Sequence, residues 1–151
     1  MITKMKVKLD AGAKMPTRAH DWDAGLDIYS RETKTVPARG SADFDTGVHI
    51  ELPIIPLALG VGLYVATVGM LKSKSGLNVK HGITSEGVID VGYTGSIRVK
   101  LYNHSDCDYE VKEGDKISQL VIMPILTPNL IEVAELDAAE RGDNGFGSSG
   151  R

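Results

Sequence analysis

The sequence predicts an all-β domain of sandwich or barrel type, with jelly-roll topology and few helices. Short runs rich in β-branched residues recur at close spacing and are separated by glycine, proline and aspartate, which is typical of strands joined by turns. No long segment has a 3.6-residue apolar period, and no internal repeat is evident. The 151 residues suit one domain and are enough to bury a core without disulfides. Long excursions between the strands favour a jelly roll.

The first half of the chain contains four strand candidates. Residues Lys4 to Leu9 alternate apolar and lysine side chains, which predicts a half-buried strand suited to a sheet edge. Asp23 to Ser30 predicts a second strand with two distinct faces. A third is predicted around Val48 to Leu52, before two prolines that would end it. Val61 to Val68 is mostly apolar and predicts a buried strand.

The second half contains the helix candidate and the remaining strands. Ser75 to Lys80 has the propensities of a helix of one or two turns. Gly87 to Val99 predicts a hairpin whose second strand continues through Lys100 to Asn103. A strand is predicted from Ile117 to Ile125, and alternation from Pro128 to Leu136 predicts a last one.

Composition and charge limit the classes of function. The formal net charge is −3, which argues against a general nucleic-acid binder because such proteins carry a basic face. The apolar run from Ile50 to Leu71 is interrupted by prolines, glycines and Glu51, so we predict strands there and no membrane helix. Cys107 is the single cysteine, which excludes an intrachain disulfide and favours a reducing compartment. We therefore expect a cytoplasmic protein that binds neither nucleic acid nor membranes.

Asp90 lies in the turn of the predicted hairpin, and Tyr93 follows three residues later. One interpretation is structural, because aspartate and glycine commonly build turns and an aspartate side chain often bonds its own turn backbone. The other interpretation is that a carboxylate held at a strand end and a nearby aromatic ring form the floor of a ligand pocket. This stretch alone leaves both interpretations open.

The composition changes after Glu140. Residues 141–151 are rich in glycine and serine, with one aromatic residue and an arginine at each end. That composition is typical of a flexible tail, so we divide the chain into a β domain over residues 1–140 and an arm over residues 141–151. The arm would also suit a loop that wraps phosphates, since glycine backbone N–H groups, serine hydroxyls and arginine bind anions. A tail that is ordered only by its ligand would reconcile the two interpretations.

Five short segments stand out along the chain. They are AGLDIYS at 24–30, KSGL at 74–77, GVIDxxYxG at 87–95, GDKISQL at 114–120 and RGxxGFGSSG at 141–150. In this order they resemble the five motifs of the homotrimeric dUTPases, the deoxyuridine triphosphate nucleotidohydrolases. The resemblance spans Asp23 to Arg151, and the third and fifth segments are the most specific. It implies the distorted jelly-roll fold of that family, β-clip-like with few helices.

The resemblance implies hydrolysis of dUTP to dUMP and pyrophosphate, with Mg²⁺. Asp90 matches the family's general base, which takes a proton from the water that attacks the α-phosphorus. A carboxylate suits this role because it is ordinarily ionised at neutral pH. Tyr93 matches the ring that lies under the deoxyribose and leaves no room for a 2′-OH. Gly87, Ile89 and Arg98 match the part of the hairpin whose backbone pairs with uracil, so Arg98 would act through its main chain.

The first, second and fourth segments imply the phosphate and metal contacts. Ser75 and Gly76 match phosphate-binding positions, and Gln119 matches a residue near the phosphates. Lys74 departs from the family, which usually has arginine there; lysine keeps the charge but loses the bidentate fork. Asp27 matches an acidic residue near the water shell of Mg²⁺, and a purely structural carboxylate is the alternative. The triphosphate itself would hold most of the coordination sphere of Mg²⁺.

The fifth segment matches the family's lid over the active site. Arg141 would contact the γ-phosphate and Phe146 would stack on uracil, while Gly147, Ser148 and Ser149 would wrap the triphosphate. A closed lid excludes water and holds the attacking geometry. The family's active sites are shared across three subunits. The resemblance therefore implies a homotrimer in which a neighbour donates the arm.

Two other functions remain as alternatives. A dCTP deaminase shares the fold, but it needs an arginine-rich serine motif and a catalytic glutamate in the hairpin region, where this chain has Lys74 and Asp90. A non-catalytic nucleotide-binding or regulatory β domain would keep the fold without the chemistry. The region from Pro53 to Gly62 is longer and more apolar than the resemblance implies. Core, a subunit interface and a surface for another partner are the alternatives, and we favour the subunit interface because exposed apolar patches usually mark association.

Overall fold

The computed structural model describes residues 4–56 and 64–137, which form twelve strands and one short helix. The elements are β1 (Lys6–Leu9), β2 (Gly25–Tyr29), β3 (Lys34–Val36), β4 (Ser41–Asp45), β5 (Val48–Glu51), β6 (Ile55–Pro56), β7 (Tyr64–Lys72), α1 (Ser75–His81), β8 (Ile83–Thr84), β9 (Glu86–Ile89), β10 (Arg98–Asn103), β11 (Tyr109–Val111) and β12 (Lys116–Ile125). The predicted all-β class is confirmed. In these ranges no helix has the length and hydropathy needed to cross a membrane.

The largest sheet is built around β12. This strand pairs antiparallel with β2 on one side and with β7 on the other, and β7 also pairs with β6 and β9. The ladder with β2 ends at Val121, whereas the ladder with β7 continues to Ile125. Pro124 therefore lies where β12 is paired on one side, which suits a residue that has no N–H to donate. Three smaller antiparallel sheets complete the described fold. One has the strand order β4–β10–β8, and the other two are the pairs β1–β5 and β3–β11.

One apolar core connects strands of different sheets. Phe44 of β4 is its largest fully buried side chain, and Leu101 and Val99 of β10 pack in the same cluster. Ile28 of β2 and Leu120 of β12 join them from the largest sheet. Burial of each such side chain stabilises the fold by about 1.5–3 kcal/mol. The core therefore holds the largest sheet against β4 and β10.

Several elements lie where the sequence predicts them. β1, β2, β5 and β12 occupy the predicted strand regions, with ends that differ by a few residues. The helix prediction is also confirmed, since α1 runs from Ser75 to His81. Gly82 ends α1 with a left-handed φ of 65°, and its N–H donates to the carbonyl of Asn78. Glycine adopts this conformation without steric cost, which explains the sharp end of the helix.

The prediction of a paired hairpin over Gly87 to Val99 is wrong. β9 pairs with β7, whereas β10 pairs with β4 and β8, so the two arms belong to different sheets. On β10, Val99 lies opposite Phe44 and Leu101 lies opposite Ala42. These buried cross-strand pairs favour the ladder with β4 over a ladder between sequence neighbours.

The predicted last strand, Pro128 to Leu136, is also absent from the described residues. Leu130, Ile131 and Leu136 are 94%, 84% and 87% exposed. An alternating pattern encodes an apolar face, but nothing in the described part of this chain covers that face. The predicted strand at Val61 to Val68 begins within the described residues at Tyr64 and continues to Lys72, beyond the predicted end.

Candidate active site

The ladders of the largest sheet bring four of the five sequence segments onto adjacent strands. Gln119 of β12 pairs with Asp27 of β2 on one side and with Lys72 of β7 on the other. Lys72 also pairs with Glu86 of β9. The KSGL segment follows directly after β7, and Asp90 follows directly after β9. Segments far apart in the chain therefore meet in one sheet.

Asp27 is the one buried carboxylate among the described residues, and it binds two lysines. Lys74 donates from Nζ to Oδ1 of Asp27 at 2.5 Å, and Lys116 donates to Oδ2 at 2.7 Å. Burial of Asp27 raises its pKa, but the hydrogen bonds and charges of Lys116 and Lys74 outweigh burial, so the pKa lies below its ordinary value. Asp27 is thus an ionised group that anchors Lys74.

A chain of serine hydroxyls braces the strands beside this carboxylate. Ser73 donates from Oγ to the carbonyl of Ser85 and accepts from the Ser85 N–H at 2.9 Å. Ser118 donates from Oγ to the carbonyl of Lys72 at 3.1 Å, so the Ser85 hydroxyl donates to Ser118 Oγ across 2.9 Å. Gln119 donates from Nε2 to the carbonyl of Ser73 at 3.1 Å. The loop that leads into KSGL is therefore held by Ser85, which lies between β8 and β9, and by β12.

Gly25 gives Gln119 the space that its side chain occupies. A Cβ at position 25 would lie 2.5 Å from Gln119 Oε1 and 3.2 Å from Gln119 Cβ. The close approach explains a glycine at the start of β2. Gln119, predicted near the phosphates, thus packs across β2 and supports the Ser73 backbone.

Ser75 and Gly76 are the first two residues of α1, and both are exposed. Lys74 is the residue before the helix and makes no side-chain cap hydrogen bond to it. Nothing lies within 4 Å of a Cβ built at Gly76. These two residues therefore face open space beside the Asp27–Lys74 pair.

Asp90 and Tyr93 form an exposed turn at the end of β9. The Tyr93 N–H donates to the Asp90 carbonyl at 3.1 Å, and Gly92 between them has a φ of 91°. The Tyr93 hydroxyl donates to the carbonyl of Ser96 at 3.0 Å, which folds the ring over Gly95. A Cβ at Gly95 would lie 2.6 Å from the Tyr93 hydroxyl oxygen. Both glycines are therefore needed to present the carboxylate and the ring together.

The three residues predicted to contact uracil lie on the two arms beside this turn. Gly87 pairs with Leu71, and Ile89 is buried at the end of β9. The side chain of Arg98 is turned toward Asp43, to which its Nε donates at 2.9 Å. Within the described ranges β9 forms a ladder with β7 alone. The other edge of β9 therefore has no ladder partner in those ranges.

Five predicted site residues lie outside the described residues: Arg141, Phe146, Gly147, Ser148 and Ser149. The predicted domain boundary at residue 140 also lies outside the described residues. The same holds for residues 57–62 of the apolar region that begins at Pro53. The structure adds groups that sequence reasoning did not place in the site: Lys116, Ser73, Ser85 and Ser118. Lys116 belongs to the GDKISQL segment, but only the β2–β12 register shows that it reaches Asp27.

Among the described residues, no cluster of three or more histidine, cysteine, aspartate or glutamate side chains could hold a metal ion. Both carboxylate oxygens of Asp27 accept hydrogen bonds from ammonium groups. Mg²⁺ prefers oxygen ligands and retains several waters, and it is commonly held by substrate phosphates with one or two carboxylates. The residues present fit an ion that arrives with a triphosphate better than one held by a dedicated protein cage.

Comparisons with known proteins agree on one family. The family model described as dUTPase matches residues 11–150. A deoxyuridine 5′-triphosphate nucleotidohydrolase of Candida albicans is 44% identical over 141 residues, covering 91% of this chain and 82% of that protein. The dUTPase of Staphylococcus bacteriophage 80alpha, solved with dUPNHPP, superposes with a TM-score of 0.85 at 33% identity and covers 99% of this chain and 100% of its own.

A second solved structure is that of a mutant dUTPase from phage phi11 of S. aureus, reported for its coordination of a structural Mg(II) ion. It has a TM-score of 0.75 at 30% identity and covers 90% of this chain and 100% of its own. Sequence and structure comparisons thus give the same answer over nearly the whole chain. This protein belongs to the dUTPase family.

Proposed function

We propose that this protein hydrolyses dUTP to dUMP and pyrophosphate. The observation that carries the proposal is the assembly of four motif segments on adjacent strands of one sheet, with the Asp27–Lys74 pair and the Asp90–Tyr93 turn at their ends. The related protein of Candida albicans is named for this activity, and the phage 80alpha enzyme was solved with dUPNHPP. Fold and family alone would not assign a substrate. These side chains, however, match the phosphates, sugar and base of dUTP.

Asp90 acts as the general base in this proposal. Its carboxylate is exposed on a turn whose shape is fixed by Gly92 and by the Tyr93 N–H, so a water can be held between it and a bound α-phosphate. The base takes a proton from that water as the oxygen attacks phosphorus, and pyrophosphate leaves. Tyr93 lies in the same turn and would pack under the deoxyribose, where a 2′-OH would collide with the ring. The edge of β9 and the backbone at Arg98 would pair with uracil.

Lys74 and the start of α1 would bind the phosphates. Lys74 already carries its charge beside Ser75 and Gly76, and its side chain is 25% exposed, so it can turn from Asp27 toward a phosphate. Lys116 would continue to neutralise Asp27 when Lys74 does so. Asp27 Oδ1 would then be free to accept a hydrogen bond from a water bound to Mg²⁺. The metal ion would neutralise phosphate charge, and the triphosphate would hold it.

The same proposal includes a homotrimer with shared active sites. Leu126, Leu130, Ile131 and Leu136 are all more than four-fifths exposed in the single chain, and association would cover them. The arm, residues 141–151, would close over the nucleotide of a neighbouring subunit through Arg141, Phe146 and the Gly147–Ser149 segment. A cytoplasmic location, expected from the lone thiol of Cys107, belongs to the same proposal.

Product analysis tests the proposed reaction. The protein is incubated with Mg²⁺ and dUTP, and in parallel with dCTP, dTTP or UTP, and the nucleotides are separated by chromatography. We expect dUMP and pyrophosphate from dUTP alone. Formation of dUTP from dCTP would identify the deaminase instead. Binding of dUTP without any product would identify a non-catalytic nucleotide-binding domain.

A further inference from the structure

His49 of β5 connects the Asp90–Tyr93 turn to the rest of the protein. Its Nδ1 lies 2.8 Å from the carbonyl oxygen of Thr94, and its Nε2 lies 3.0 Å from Oδ2 of Asp10. The side chain is 18% exposed, so it is largely enclosed between these partners. One ring thus spans from the segment after β1 to the residue that follows Tyr93.

The two partners determine the protonation of the ring. A backbone carbonyl only accepts hydrogen bonds, and an ionised carboxylate also only accepts. Both nitrogens of His49 must therefore donate, which requires the imidazolium form. In a neutral imidazole one nitrogen has no proton, and that lone pair would face either the Thr94 carbonyl or the Asp10 carboxylate.

The charges around His49 support this form. Hydrogen bonding to Asp10, and then to Thr94, raises the pKa of His49 above its ordinary value, although burial and Lys8 oppose the rise. The hydrogen bond from His49 likewise lowers the pKa of Asp10. Lys8 approaches the other carboxylate oxygen of Asp10 at 3.6 Å. The remaining charged neighbours on this face, Lys6 and Glu51, pair with each other at 3.1 Å.

The turn has few other attachments. Residues 90–94 are all exposed, and their internal hydrogen bond joins Tyr93 to Asp90. Among the described residues, His49 is the only side chain of another element that donates a hydrogen bond into residues 90–95. On either side the chain is fixed, by the pairing of Ile89 with Gly69 and by the Ile97 N–H that donates to the Val48 carbonyl. Ser96 is held in the same span, since its hydroxyl donates to Asp45 and accepts from the Gly47 N–H at 3.0 Å. His49 supplies the attachment at Thr94, between Ser96 and Asp90.

We infer that His49 is a positioning residue for the reaction, whose imidazolium holds the turn that presents Asp90 and Tyr93. The inference rests on the proposed function only for the roles of those two residues. His49 does not touch substrate; it acts through the Thr94 carbonyl. Lys8, Asp10 and His49 form one charged row across the β1–β5 ladder, since Lys8 lies opposite His49 in register.

The hydrogen bonds of His49 to Thr94 and Asp10, which we call the clamp, have a defined dependence on pH. A histidine whose pKa is raised in the folded state contributes its full stabilisation below the unfolded pKa, and loses it as pH rises through the folded pKa. The turn should therefore be most firmly held on the acidic side and should loosen under alkaline conditions. Asp10→Asn removes the carboxylate, lowers the pKa of His49 and should move this loosening to lower pH.

The test compares the full-length protein with three variants, His49→Gln, Asp10→Asn and His20→Gln. His20 is the matched control, because it also pairs with an aspartate, Asp23, but in a different loop. NMR titration follows the His49 ring. Amide hydrogen exchange gives the protection factor of the Tyr93 N–H, which is its exchange rate relative to the intrinsic rate at the same pH. Neither measurement requires turnover. In parallel, kcat and KM for dUTP are measured from about pH 6 to about pH 9, the range around an imidazole pKa.

We expect kcat/KM of the wild type to fall at alkaline pH with the same midpoint as the His49 titration. This fall should shift to lower pH in Asp10→Asn and should be absent in His49→Gln. The activity of His49→Gln near neutral pH should drop about tenfold, because one charge-assisted hydrogen bond is lost. His20→Gln should match the wild type. Unchanged activity and an unchanged pH profile in His49→Gln would refute the inference, as would a His49 that is neutral at about pH 6.

Failure of the proposed function would give a different result. If no form of the protein turned over dUTP, the protection factor of the Tyr93 amide would still be expected to fall above the His49 pKa in the wild type. The same loss of protection would occur at lower pH in Asp10→Asn. A protection factor that is independent of His49 titration would refute the role of His49 in holding the turn, whether or not the enzyme is active.

Discussion

Replacing Asp27 with asparagine should destabilise the fold by about 2 kcal/mol near neutral pH. The carboxylate is 8% exposed and accepts from Lys74 at 2.5 Å and from Lys116 at 2.7 Å. Asparagine has nearly the same shape but no charge, so it leaves two ammonium groups beside a neutral amide.

The magnitude lies between two limits. Removing one partner of a fully buried ion pair costs about 3–5 kcal/mol, whereas an exposed pair contributes about 0–1 kcal/mol. Asp27 is at the buried limit, but Lys74 and Lys116 are 25% and 45% exposed and can recover part of their hydration. The expected loss therefore falls between the limits, and it corresponds to about 4–8 °C in Tm for a chain of this size.

The pH dependence has a definite sign. Because the pKa of Asp27 is lowered by folding, its stabilisation is present above the ordinary value of 3.8 and is lost as pH falls through the folded pKa. The difference in the free energy of unfolding between wild type and Asp27→Asn should therefore be complete near neutral pH. It should shrink as the pH falls below 3.8.

Urea unfolding at fixed protein concentration measures this difference, since subunit association would make stability depend on concentration. Asp106→Asn is the matched control, because Asp106 pairs with Arg39 at 2.7 Å but is 81% exposed. The control should change stability by less than about 1 kcal/mol. A similarly small effect for Asp27→Asn, or one that does not depend on pH, would refute the reasoning.

Three further predictions concern substrate binding. Lys74→Met should raise KM for dUTP by about tenfold or more, as expected for a lost charged hydrogen bond, and an unchanged KM in steady-state assays would contradict phosphate binding by Lys74. Gly95→Ala places a Cβ 2.6 Å from the Tyr93 hydroxyl oxygen, so the ring must move. We expect this variant to discriminate dUTP from UTP less than the wild type does, measured as the ratio of the two kcat/KM values. A ratio equal to that of the wild type would argue against a sugar contact by Tyr93. Removing residues 142–151 should greatly reduce dUTP turnover while leaving the oligomer intact by analytical ultracentrifugation, and full activity of the truncated chain would show that the arm is no lid.

Local patterns were enough to predict much of the fold. Alternation located β1 and β2, and the propensities of Ser75 to Lys80 located α1, because these signals depend on residues close in sequence. Strand pairing was less accessible. The partner of β10 is β4, since Val99 meets Phe44 there, and such long-range pairs have no local signature. Pro128 to Leu136 alternates like a strand, but its apolar side chains find no cover in the described chain.

The candidate site shows the same division. Asp27, Lys74 and Gln119 were identified through motif resemblance, and the ladders bring them together. The motif resemblance does not assign Lys116, because its reach to Asp27 depends on the irregular register between Lys116 and Ser118. His49 carried no motif signal, since its importance arises only from the positions of its two acceptors.

Hydrolysis of dUTP in ¹⁸O-labelled water, with Mg²⁺, tests the central claim most directly. If Asp90 activates water for attack at the α-phosphorus, mass spectrometry should find one label in dUMP and none in pyrophosphate. Asp90→Asn should bind dUTP with similar affinity and form no labelled dUMP. Label in pyrophosphate, or normal turnover by Asp90→Asn, would contradict the account.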